Sequence, residues 1–136
     1  MSNALYHEAL VAKARSGIGK GRLTQPNASA QLDNPLCGDR VTLDLYLVGE
    51  CITQVGHEVR GCLLCEAAAA VIAELTPGRT PAEVRDLSGH LTLMMQEGTA
   101  PGYPVLDIFT PVINARSRRD CVLLPFNTLT KALANL

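Results

Sequence analysis

The chain has no basic stripe, no apolar run long enough to cross a bilayer and no internal repeat. A net charge of −1 without a lysine- or arginine-rich face argues against nucleic acid as a partner. The apolar runs fall far short of the roughly 20 residues that a membrane-spanning helix requires. No charged, apolar and cleavable leader pattern opens the sequence. The glycine-rich piece Ser16-Gly17-Ile18-Gly19-Lys20-Gly21 lacks the Lys-Ser/Thr step of a phosphate-binding loop, so a flexible connector is expected there. Charged residues make up only 18%, against 47% apolar ones, which is a globular balance. The 136 residues are expected to form one domain, 1–136, able to bury a core without staples.

What the chain does have is cysteine, five of them and an odd number. Without a leader pattern they point to a reducing compartment, with the cytoplasm as the expected location. There cysteines more often bind metal or do chemistry than form disulfides.

The surrounding pattern is that of an α+β fold: a small antiparallel sheet of about three strands packed against several helices. Residues 3–15 read as a short amphipathic helix, and residues 22–33 as an edge strand leading to Pro35. Val41, Leu43, Leu45 and Leu47 alternate with Thr42, Asp44 and Tyr46, a half-buried strand. After the turn at Gly49-Glu50, Cys51–Val59 returns as its hairpin partner. Cys62–Leu75, with four alanines at its centre, reads as a deeply packed helix. Thr80-Pro81-Ala82-Glu83 is a capping box with proline at the first helical position. Residues 97–104 read as loop, Val105–Phe109 as a short ordered piece, and Asp120–Leu136 as a terminal helix with a leucine stripe.

Three segments carry the chemistry. Asn34-Pro35-Leu36-Cys37-Gly38-Asp39 offers a thiol and a carboxylate two residues apart on a turn, Gly61-Cys62-Leu63-Leu64-Cys65 opens one helix, and Arg118-Arg119-Asp120-Cys121 opens another. Cys37, Asp39, Cys62 and Cys121 together make a three-sulfur, one-oxygen set suited to zinc or iron. Cys62 and Cys121, read as lying in first helical turns, would have their thiolates favoured by unpaired amides and the helix dipole. Cys65 reads equally as a spare ligand, a supporting thiol, or half of a Cys-x-x-Cys redox pair with Cys62. Cys51 reads as a small hydrophobe. His7, His57 and His90 follow no ligand spacing and are expected to be solvated or structural. Asp120 reads as a cap of the last helix. Arg118 and Arg119 suit pairing with Asp39, attraction of an anionic sulfur group, or plain solvation.

With these motifs in this order the chain resembles the iron–sulfur scaffold family of NifU N-terminal, IscU and SufU proteins. The shared pattern is Asn-Pro-x-Cys-Gly-Asp (34–39), Gly-Cys-x-x (61–64, then Cys65 where serine is usual) and Cys-x-x-Leu (121–124) before the last helix. Asp120 stands where IscU-type members carry histidine, which makes the SufU branch the nearer likeness. Val59 replaces a glycine of the usual Gly-x-Gly-Cys approach. The resemblance implies an assembly protein for iron–sulfur clusters that accepts sulfur on Cys37 from a cysteine desulfurase, a PLP enzyme. It implies zinc at Cys37, Asp39, Cys62 and Cys121, or a transient [2Fe–2S] cluster on the same cysteines, with iron–sulfur acceptor or carrier proteins downstream. A zinc-dependent sulfurtransferase activity is the enzymatic form of this reading. A structural zinc module and a small Cys62–Cys65 thiol oxidoreductase are the alternatives.

Overall fold

The three strands lie in chain order in an antiparallel sheet, with the most apolar one in the middle. The computed structural model describes residues 3–36, 38–98 and 103–136, with side chains from His7 onward. Cys37 and residues 99–102, part of the expected 97–104 loop, lie outside the described residues. In chain order the elements are α1 (Asn3–Arg15), β1 (Ala28–Asn34), β2 (Asp39–Val48), β3 (Cys51–Arg60), α2 (Leu63–Leu75) and α3 (Pro81–Glu97). A 3₁₀ helix over Pro104–Val112 and α4 (Arg116–Ala134) complete the chain.

The pairing register fixes the site end of the sheet. Asn34 faces Asp39 across the first hairpin, and Arg40 faces Arg60 across the second. The chain therefore leaves β3 at Gly61 beside the carboxylate that opens β2. Helices α2 and α4 pack together and against the sheet, with α1 laid on α2 and α3 on α4. Val41, Leu43, Leu45, Ile72, Phe109, Phe126 and Leu129 are all at most 1% exposed. Buried residues of every helix and strand meet in the main core cluster. The polyalanine centre of α2, Ala67–Ala70, is buried, and these short side chains let it sit close to its neighbours.

Three expectations need correction. The alternation of β2 predicts a polar, solvated face, yet Asp44 is fully buried. Residues 22–23 cover that face: Arg22 grips the Asp44 carboxylate at 2.6 and 3.0 Å, and the Leu23 amide and Ser29 hydroxyl donate at 3.0 and 2.7 Å. Burial by itself raises the Asp44 pKa, but these donors outweigh it and hold the carboxyl below its ordinary value.

The glycine-rich connector is likewise pinned rather than loose. Gly21 donates to the His57 carbonyl at 2.8 Å, the His57 amide donates to Gly19 at 3.0 Å, and His57 Nε2 reaches the Ile18 carbonyl at 2.8 Å. Gly19 has φ +73°, and a Cβ there would overlap the Ala73 side chain, so glycine is required on both counts. His57 is thus structural, its pKa lowered mainly by burial.

The last helix starts at Arg116, four residues before the expected Asp120, with Ala115 at its N-cap position and no side-chain cap. Asp120 is therefore not a cap. Among the expected leucine stripe, Leu136 is exposed, and Val122 and Phe126 fill core positions. The capping box of α3 forms as read, Thr80 and Glu83 exchanging hydrogen bonds at 3.2 and 3.0 Å behind Pro81.

Candidate metal centre

The donors arrive from three elements that meet at one end of the sheet. The turn before β2 is built locally: Asn34 Oδ1 accepts from the Leu36 amide at 3.1 Å, and the Gly38 amide closes back on the Asn34 carbonyl at 2.8 Å. Gly38 sits at φ +76°, a left-handed conformation that suits glycine. Asp39 follows and is buried at 7% exposure, so its carboxylate points into protein rather than water.

Cys62 occupies the N-cap position of α2 in extended conformation, as the sequence suggests, and is exposed. Its thiol is lowered to about 6. The Cys65 thiol beside it is the main cause, the nearby backbone N–H groups of Cys65 and Leu64 and the Cys121 thiol add to it, and burial opposes. None of those amides closes a side-chain capping bond. The Cys65 thiol moves the other way, far above its ordinary value, through hydrogen bonding to the Cys62 thiol, its burial and Asp39.

Cys121 lies in the second turn of α4, so the expected support from unpaired first-turn amides does not apply to it. Its thiol instead faces Asp39 Oδ2 at 3.7 Å. Cys65, fully buried, shares its one S–H proton between the same carboxylate oxygen at 3.2 Å and the Cys121 carbonyl at 3.1 Å. Pro125 makes room for the second bond. Four residues beyond Cys121 within α4, it has no N–H to return to that carbonyl.

Ligand atoms of Asp39, Cys62, Cys65 and Cys121 all lie within 4.8 Å of one another. Tetrahedral zinc, with bonds of roughly 2.3 Å to sulfur and 2.0 Å to oxygen, holds its donors roughly 3.5–3.8 Å apart, so this set fits with small adjustments. Of the sequence-derived candidates, Asp39, Cys62 and Cys121 come together, Cys65 joins them, and Cys37 lies outside the described residues. Arg118 is exposed and lines a cleft over the site with Leu36, Cys62, Leu64, Asp120 and Cys121. Neither Arg118 nor Arg119 forms an ion pair with Asp39, and Arg119 donates to the Met95 carbonyl at 3.2 Å. Cys51 stays apart, its thiol 3.7 Å from the Ile52 carbonyl. His90 pairs with Asp86 at 3.2 Å, and His7 is exposed.

For two residues of the motif segments the supporting role escaped the sequence reading. One is Pro125, whose signal was a proline inside a helical pattern. The other is Gly61, where a Cβ would come within 2.8 Å of Asp39 Cγ and 3.0 Å of Oδ1. Gly61→Ala is expected to push the buried carboxylate out of place, costing about 1–3 kcal/mol by overpacking and about tenfold or more in zinc affinity. Thermal unfolding and a chelator competition titration measure the two effects.

Comparison with known proteins agrees with this geometry. The NifU-like N terminal domain family model matches residues 5–98. The iron-sulfur cluster assembly scaffold protein IscU of Thermotoga maritima is 25% identical over 97% of this chain and 94% of its own length. The zinc-dependent sulfurtransferase SufU of Bacillus subtilis is 26% identical over 69% of this chain and 63% of its own. Among solved structures, the N-terminal NifU-like protein of Brucella abortus superposes with a TM-score of 0.88 at 28% identity, covering 98% of this chain and 96% of that one. The putative SUF-system scaffold of Fervidobacterium islandicum AW-1 gives 0.85 at 28% identity, covering 98% of this chain and 99% of that one. With the model matched across most of its length and the fold shared end to end, this chain belongs to the NifU-like N-terminal domain family.

Proposed function

We propose that this protein is an iron–sulfur cluster assembly component of the SufU type, a single domain over 1–136 acting in the cytoplasm. It accepts sulfur from a PLP-dependent cysteine desulfurase and serves iron–sulfur acceptor or carrier proteins. Cys37 is the acceptor thiol, and Cys37, Asp39, Cys62 and Cys121 hold zinc. The observation that most supports this reading is the convergence of Asp39, Cys62 and Cys121, two of which, Cys62 and Cys121, line a cleft open to solvent. A metal that only braced the fold would have no need of such access. Zinc, when bound, keeps its thiolates deprotonated at neutral pH.

The remaining work falls to the chain's own residues. Asp39 supplies an oxygen donor whose position is set by Gly61 and the β2 register. Arg118 places positive charge at the cleft, where an anionic persulfide enters. Leu36, 92% exposed at the cleft rim, offers an apolar contact beside the acceptor. Transfer is a thiol–persulfide exchange governed by thiolate fraction and access. The same thiolates suit a transient [2Fe–2S] cluster as cargo, and the relatives named for scaffolding and for zinc are matched at similar identity, the scaffold over more of the chain.

Incubating the zinc-loaded protein with cysteine and a SufS-type desulfurase tests the reading. Alanine formation is expected to rise, and the protein's intact mass is expected to grow by one sulfur atom, reversibly under reductant. Cys37→Ser should abolish both effects. Retention of both by that variant would assign the acceptor role elsewhere, and absence of both in the wild type would reduce the centre to a structural module.

A further inference from the structure

We propose that Cys65 is a fourth protein donor: with Asp39, Cys62 and Cys121 it closes a metal cage that does not depend on Cys37, leaving the Cys37 thiolate to take up sulfur while the ion stays bound. The proposal rests on the sulfur-acceptor reading above and gives it a means of releasing the acceptor.

Three features carry it. Cys65 lies three residues after Cys62 in the first turn of α2, so both side chains share one helix face. The Cys65 thiol is fully buried, with apolar Val41 and Leu124 packed against it. It nevertheless donates to Asp39 Oδ2 at 3.2 Å instead of sitting wholly among hydrocarbon, as a cysteine acting only as a small hydrophobe would. Among the described residues these four donor atoms fall within 4.8 Å of one another, and four donors fill a tetrahedral shell. When Cys65 binds as a thiolate it gives up its S–H proton and with it its contacts to Asp39 and the Cys121 carbonyl, which frees that carboxylate oxygen to act as a ligand.

The transfer step then balances without an external oxidant. The Cys37 thiolate attacks the terminal sulfur of the desulfurase cysteine persulfide, and a Cys37 sulfur–sulfur bond forms as the donor's breaks. The donor cysteine leaves as a thiolate and takes up, through solvent, the proton released by Cys65. One persulfide is consumed and one is made.

Cobalt(II) substitution tests the cage, because thiolate-to-cobalt charge-transfer absorption scales with the number of bound thiolates. Cys37→Ala and Cys37→Ser are expected to keep one metal per chain with three-thiolate intensity. Adding Cys65→Ser to either should remove about a third of that intensity and weaken zinc at least tenfold in chelator competition. The proposal is overturned if both Cys37 variants fail to bind metal, folded or not. It is equally overturned if Cys65→Ser changes neither intensity nor affinity in a Cys37 variant. Persulfide transfer to the wild-type protein is measured in parallel. Sulfur uptake together with a Cys37-variant cobalt spectrum that Cys65→Ser leaves unchanged removes only the Cys65 cage, whereas the expected spectra with no sulfur uptake retain the cage and remove the acceptor reading.

Discussion

Cys62→Ser is expected to lower zinc affinity by at least about a hundredfold while leaving the far-UV circular dichroism unchanged. Residues that merely support a metal ligand are worth roughly 10–100-fold in affinity, and removal of a ligand itself should exceed that range. The loss is large because Cys62 offers a thiolate donor, its thiol lowered to about 6 mainly by Cys65 with help from the start of α2, and a serine hydroxyl stays neutral there. The fold should survive because Cys62 is an exposed N-cap residue, in contrast to the fully buried Cys65. Zinc stoichiometry after gel filtration, chelator competition and circular dichroism decide the matter together. Undiminished zinc binding would mean that Cys62 is no ligand.

Phe126→Ala should fail in the opposite way. The ring is 1% exposed within the main core cluster, one turn beyond Cys121 on α4. Its removal should cost about 3–5 kcal/mol through lost transfer energy and an unfilled cavity. That is a large share of the roughly 5–15 kcal/mol available to a domain, and corresponds to a fall in melting temperature of roughly 10–20 °C. Metal binding should weaken only as the native population shrinks and should recover at low temperature. A melting temperature within about 3 °C of wild type would contradict the packing of α4 against the sheet and α2.

The contrast between these variants follows from the architecture. Site and core share α2 and α4 but use different ends of them: Cys62 stands before the first turn of α2, whereas Ala67–Ala73 behind it are buried. A site carried on such supports is held by the core without being part of it, so its chemistry can be removed at little cost in stability. Gly61 is the exception, because its missing side chain is what lets Asp39 stay where it is.

Much of this was readable from residue order alone. Alternation in 41–47 and the returning 51–59 segment specify a hairpin, and Thr80-Pro81-Ala82-Glu83 specifies the start of α3, because both depend on neighbours in sequence. The grouping of Asp39, Cys62 and Cys121 was legible as a motif pattern, but their distances were not. Only the tertiary structure decided that Asp44 is buried under Arg22, that the glycine-rich connector is clamped to His57, and that Cys65 faces Asp39. It also placed Cys121 a turn deeper in α4 than its preceding Asp120 suggested. The physical reason is common to the first three: burial and side-chain partners come from segments tens of residues away, and no local propensity encodes which of them will arrive.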